Sequence, residues 1–140
     1  MSKALKTEKS AGFLIFRRDG DLRFLILKSK DRLDIPKGQL NPGEGELEAA
    51  LRELKEETGI SDVKVIAGYR KNVQYFYRWG GVLIKKTVIY FLAEVGSNDV
   101  KLSKEHDSFS WMTAKEAVAQ LKYKNLIGAI KDAESLLSYQ

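Results

Sequence analysis

The stretch GQLNPGEGELEAALRELKEETGI, residues 38–60, decides the fold, because its helical part carries an apolar side and an acidic side together. From about Glu46 to Thr58 the residues are good helix formers, and Gly59 stands where a C-cap glycine belongs. At 3.6 residues per turn, Glu53, Glu56 and Glu57 fall at i, i+3 and i+4 and share a face. Glu46 lies two turns earlier on about the same face. Leu47, Leu51 and Leu54 form an apolar stripe about 120° away. Ala49 and Ala50 are small enough to leave the carboxylate face open. The pattern therefore predicts a helix anchored by its leucines and presenting acid on another side.

Like charges at i,i+4 destabilise a helix by about 0.2–0.5 kcal/mol per pair. Three glutamates in isolation read most simply as a solvated face. A hard divalent cation reverses that reading: Mg²⁺ takes oxygen ligands in octahedral geometry, a few from carboxylates and the rest from water and phosphates. An acidic helix face beside a glycine-bearing loop supplies such donors.

Working outward, Ser10–Arg18 and Arg23–Ser29 are apolar segments separated by Asp19-Gly20-Asp21 and read as a β-hairpin. A loop with Asp31, Asp34, Pro36-Lys37-Gly38 and Asn41-Pro42-Gly43 precedes the helix. Val63–Gly68 reads as a strand. Asn72–Trp79 and Val82–Glu94 flank Gly80-Gly81, a favourable two-residue turn. Phe109–Met112 is a short strand, and Thr113 caps a helix to about Lys122, with Glu116 completing a capping box. A last helix runs from Asn125 to about Ser138. This order predicts an α/β fold, a mixed sheet with helices packed against it, in one domain spanning residues 1–140.

The chain has 140 residues, 44% of them hydrophobic, which is enough for a packed core. It has no cysteine, which excludes disulfides, thiolate zinc sites and a cysteine nucleophile and suits a reducing cytosol. Met1–Ser10 lacks the apolar run of a signal sequence, and segments such as Val88–Ala93 are too short to span a bilayer. The expectation is a soluble, cytoplasmic protein without a membrane partner. Net charge is +5, from 24 basic and 19 acidic side chains, with the lysines scattered rather than clustered. That balance suits a polyphosphate substrate, an RNA 5′ end or plain solubility.

Gly38, five residues, Glu44, seven residues and then Arg52-Glu53-Leu54-Lys55-Glu56-Glu57-Thr58-Gly59-Ile60 match the signature of the Nudix hydrolase family at every specified position. The resemblance implies the Nudix fold, an α/β/α sandwich with the motif as a loop-helix-loop. It implies Mg²⁺, with Mn²⁺ as a substitute, held by Glu53, Glu56, Glu57 and the Gly38 carbonyl. It also implies an Arg52 ion pair that orients Glu53, and structural roles for Glu44, bracing the loop, and for Gly59. The reaction would be in-line attack of water on phosphorus. Glu53 is the first candidate for general base, and Glu105 a candidate from outside the motif.

Several flanking segments resemble the diadenosine tetraphosphate (Ap4A) hydrolase branch of that family: Ser10-Ala11-Gly12-Phe13, Ile35-Pro36-Lys37-Gly38, Lys86 to Phe91, Glu105-His106 with Trp111, and Leu121-Lys122-Tyr123. On a strand, Lys86, Val88 and Tyr90 point to one side, so Tyr90 can stack a base while Lys86 meets phosphate. By resemblance Tyr123 closes the other side of an adenine clamp. Lys37 is a candidate phosphate contact, and His106, the single histidine, a candidate contact to substrate or a metal-bound water. The run Tyr75, Phe76, Tyr77 and Trp79 reads mostly as sheet packing.

The expected activity is asymmetric hydrolysis of Ap4A to ATP and AMP. RNA 5′-pyrophosphohydrolysis and hydrolysis of oxidised nucleoside triphosphates are the alternatives. A non-catalytic nucleotide-binding domain would usually lack a motif carboxylate, and none is missing here. Monomer and homodimer both stay open.

Overall fold

A computed structural model describes residues 5–96 and 99–139; the reading of the first four residues lies outside them. The chain runs β1 (Lys6–Asp19), β2 (Asp21–Ser29), β3 (Arg32–Asp34), β4 (Lys37–Gln39), α1 (Glu46–Thr58), β5 (Lys64–Val65), β6 (Lys71–Trp79), β7 (Val82–Glu94), β8 (Ser108–Met112), α2 (Ala114–Gln120) and α3 (Lys124–Ser138). The sheet is mixed. Its main path is β3-β2-β1-β7-β5, with β4 paired to β1, β6 to β7 and β8 to β2. Only the central pair, β1 and β7, is parallel among these.

Alternation along β1 explains the layers. Leu14 and Phe16 point to the core under α2 and α3, while Ala11, Phe13 and Ile15 point to the core under α1. Being buried on both faces, β1 reads as a continuous apolar run rather than an alternating one. Each fully buried Phe, Leu or Ile contributes about 1.5–3 kcal/mol. The hairpins at Gly20 and at Gly80-Gly81 form as their turn chemistry requires, and the Thr113–Glu116 capping box is made in both directions.

Four details differ from the sequence reading. β1 begins at Lys6 rather than Ser10, because Lys6 through Phe16 pair with Ile84 through Glu94. The Val63–Gly68 segment keeps only two strand residues, those that reach Glu94 and Ala93 of β7. Two short strands, β3 and β4, form inside the expected loop, and β4 pairs Gly38 with Ala11.

The fourth difference concerns the anchoring of α1. Ala49, Ala50 and Leu54 are fully buried, whereas Leu47 and Leu51 are 41% and 36% exposed. The alanines let the helix lie close against the sheet, so the core-facing side and the acidic side overlap. Glu57 is consequently drawn into the interior with Ala50 and Leu54, its neighbours at i−7 and i−3.

Candidate active site

The loop before α1 is organised by Arg52. Its Nε and Nη2 donate to Glu44 Oε2 and Oε1 at 2.7 and 2.9 Å, a fork that matches the carboxylate. The Asn41 N–H donates to Glu44 Oε1 at 2.9 Å. The Arg52 hydrogen bonds, followed by that backbone one, hold the Glu44 carboxyl down to about 2. Arg52 Nη2 also donates to the Gln39 carbonyl at 2.9 Å, tying α1 to β4. Arg52 Nη1 donates to Glu53 Oε1 at 2.8 Å and reaches Glu56 Oε2 at 3.2 Å.

Glu53 is pressed against Gly38. A Cβ at residue 38 would fall 2.1 Å from the Glu53 carboxyl carbon, so only glycine fits. At the other end of α1, Gly59 adopts φ 75 and donates its N–H to Lys55 O, the left-handed cap that turns the chain away.

Glu57 is the unusual group. It is 5% exposed, and His106 Nε2 lies 2.8 Å from its Oε1. Its Oε2 is buried and has no hydrogen-bond donor among the described residues. Burial, then the adjoining Glu53 carboxylate and the charge of Glu105, push the Glu57 carboxyl up to about 9, while Lys37 works in the opposite direction. Such a group holds a proton or a cation. The donor set suits a hard divalent ion: an orphaned carboxylate oxygen beside a second carboxylate. No three acidic or imidazole side chains among the described residues converge as a ready-made cage. Mg²⁺ commonly needs only one or two carboxylates, with water and phosphate oxygens completing its shell.

Two cavities meet beside this centre. One, of about 240 Å³, is bounded by Glu57, Glu105, His106 and Lys37, among others. The other, of about 490 Å³, is bounded by Tyr75, Tyr90, Tyr123 and Leu126, among others. They share Arg32, Asp34 and Lys37. Lys37 pairs with Asp34 at 2.9 Å on that boundary. Tyr90 is 4% exposed and forms a wall rather than a free ring, whereas Tyr123 is half-exposed with the Arg32 guanidinium 5.4 Å from its centroid.

The structure thus brings Lys37, Glu57, Glu105, His106, Tyr90 and Tyr123 to one connected groove. Lys86 stands apart. It is buried, donates to Ser10 Oγ at 2.7 Å, lies 3.7 Å from Glu8 and borders neither cavity. Glu8 is in turn bonded by the Tyr77 hydroxyl.

Tyr75 and Arg32 are among the lining residues that escaped the sequence reading. Tyr75, read there as packing, is 41% exposed and borders the larger cavity. The two-residue turn implies its register, since Tyr75 pairs with Lys86 and so shares the face of Val88 and Tyr90. Arg32 lies in what the sequence presents as a loop, and no sequence signal marks it.

The NUDIX domain family model matches residues 6–132. The chain belongs to the NUDIX domain family. Among its Nudix relatives, the asymmetrical bis(5′-nucleosyl)-tetraphosphatase of Mus musculus is 36% identical, with 92% of this chain and 95% of the relative covered. The Caenorhabditis elegans protein of the same name is 31% identical over 93% and 96%. The crystal structure of a C. elegans Ap4A hydrolase binary complex superposes with a TM-score of 0.85 at 30% identity, covering 95% of this Nudix chain and 99% of that one. An RNA pyrophosphohydrolase of Proteus mirabilis is 33% identical over 74% of this chain and 68% of its own.

Proposed function

We propose that this Nudix protein is a divalent-cation-dependent hydrolase that cleaves Ap4A asymmetrically to ATP and AMP. One observation carries the reading: a cavity walled by tyrosines opens, through Lys37 and Arg32, onto the buried Glu57 carboxylate. A flat base needs an apolar slot, and its polyphosphate needs cations and a metal at the far end. Along the groove come first the tyrosine slot, then Lys37 and Arg32, then the Glu57 carboxylate that would help hold the metal. The similarity to asymmetrical tetraphosphatases over nearly the whole chain supports the same substrate.

Glu53, Glu56, Glu57 and the Gly38 carbonyl are the groups assigned to hold Mg²⁺, with Mn²⁺ as a substitute. When bound, the ion supplies charge neutralisation on the phosphoryl oxygens and activation of water. The chain's own residues do the rest. Arg52 fixes Glu53, His106 fixes Glu57, and Lys37 meets the phosphates as they pass from the tyrosine cavity. Glu53 is the first choice for general base, and Glu105, whose charge reaches Glu57, is the second. The exposed rings of Tyr75 and Tyr123 frame the base site, with Tyr90 as its wall. Lys86, bound to Ser10, steadies the strands beneath the groove.

The lack of cysteine fits a cytoplasmic setting. No helix among the described residues is long and apolar enough to cross a membrane.

A second reading, removal of pyrophosphate from 5′-triphosphorylated RNA, draws on the likeness to the P. mirabilis RNA pyrophosphohydrolase. Comparing kcat/KM for Ap4A, 5′-triphosphate RNA and 8-oxo-dGTP with Mg²⁺ separates the readings. Ap4A should lead, with ATP and AMP as products. If it is the poorest of the three by a wide margin, the proposal is wrong.

A further inference from the structure

We infer that a third cavity, beyond the Arg32–Tyr123 wall, binds the second nucleoside of the dinucleoside polyphosphate. It measures about 540 Å³, against about 490 Å³ for the tyrosine cavity, and both fall within the usual range for small-molecule sites, about 300–1,000 Å³. This inference rests on reading the tyrosine cavity as the first nucleoside site.

Three observations support it. First, Arg32 and Tyr123 border both large cavities, with the guanidinium 5.4 Å from the ring centroid. The pair is a partition with a planar cation on an aromatic ring, a surface on which bases stack.

Second, the third cavity also touches the catalytic one, through Ser29 and Arg32. Arg32 is therefore common to all three spaces. A molecule with a base at each end and phosphates between them can lie with its ends on either side of Arg32 and its middle at Glu57. Arg32 and Lys122 border both large cavities and suit the phosphates that run between them, while Asp31 is the one acid bordering the third cavity.

Third, its floor is fixed relative to the catalytic centre. Lys30 is held at φ 55, the one non-glycine residue with positive φ among the described residues, and its N–H donates to Asp107 Oδ2 at 2.6 Å. Ser29 Oγ donates to the Glu105 carbonyl at 2.8 Å. The turn that bounds the third cavity is thus latched to the loop that carries Glu105 and His106.

Lys30 and Gln120 border this cavity and neither of the others, so they isolate it. Glycine accepts φ 55 without strain, which makes Lys30→Gly safe for the fold. The test is equilibrium binding, with Mg²⁺, of two probes whose scissile bridges are replaced by methylene: the α,β:α′,β′-bismethylene analogue of Ap4A and the matching α,β:γ,δ-bismethylene analogue of adenosine 5′-tetraphosphate. The wild type should bind the dinucleoside at least fivefold more tightly. Lys30→Gly combined with Gln120→Ala should abolish that preference while changing the mononucleotide Kd by less than twofold. Equal affinity of the wild type for both probes, or an equal loss for both in the variant, overturns the inference. Because binding is read without turnover, a protein that prefers the dinucleoside probe yet fails to hydrolyse Ap4A refutes the proposed activity and leaves the second site standing.

Discussion

His106 Nε2 sits 2.8 Å from Glu57 Oε1, a side-chain contact that joins the motif helix to a loop almost fifty residues further along the chain. The same loop is stitched to the end of α1 through its backbone, with Lys101 and Ser103 donating their N–H groups to the Thr58 and Glu57 carbonyls at 2.9 and 3.1 Å. The imidazole thus occupies one carboxylate oxygen and leaves the other, Oε2, buried with no hydrogen-bond donor among the described residues.

Glu57→Gln keeps this shape and removes the charge. Turnover should fall by at least a thousandfold while circular dichroism stays native. Without substrate, Mg²⁺ at about a hundred times its Kd should stabilise the wild type by about 2.7 kcal/mol, a Tm rise of several degrees. The variant should show no such rise. Full turnover in the variant, or in excess chelator, would remove the metal assignment.

Gly38→Ala tests the close approach to Glu53. A methyl group there would fall 2.1 Å from the Glu53 carboxyl carbon, so the side chain must swing away and lose its 2.8 Å contact with Arg52. Glu53 is only partly buried and has room to move. The expected result is a fall in kcat of about 100-fold, the upper end for a lost supporting contact, with little change in Tm. A large drop in Tm with normal kcat per folded molecule would show that Gly38 serves the fold alone.

Glu44→Gln should lower stability in a pH-dependent way. The Glu44 carboxyl is held near 2, below its ordinary 4.5, so its ionised form stabilises the fold above about pH 4.5. That contribution fades as pH falls through 2. Thermal melts of wild type and variant should therefore differ at pH 6 and converge toward pH 2. A constant difference across that range would mean the Arg52 fork acts by shape rather than charge.

Much of the architecture follows from periodicity and turn residues. The Gly80-Gly81 turn, the Thr113 capping box and the Gly59 cap act over a few residues, so the chain declares them locally. The start of β1 at Lys6 and the two-residue β5 depend on β7, which lies far away in sequence. The leucine stripe of α1 misled for a different reason: helical spacing locates a face, but the distance of closest approach chooses alanine over leucine against the sheet. In the site, the carboxylates were legible from spacing. Arg32 was not, since only the packing of Tyr123 and the third cavity against it reveals its position. Tyr75 sat between these cases, legible once the hairpin register is counted back from the turn.

Tyr123→Ala should separate binding from chemistry. The ring is half-exposed and lines the tyrosine cavity, where the role proposed for it is to stack a base. Base–aromatic stacking contributes about 1–3 kcal/mol, which corresponds to a rise in KM of about 5- to 150-fold for Ap4A. If that energy is present equally in the ground and transition states, kcat stays within twofold. Tyr123→Phe keeps the ring and should behave as wild type. An unchanged KM in the alanine variant would mean that the base lies elsewhere, and a matching loss in Tyr123→Phe would assign the effect to the hydroxyl instead of the ring.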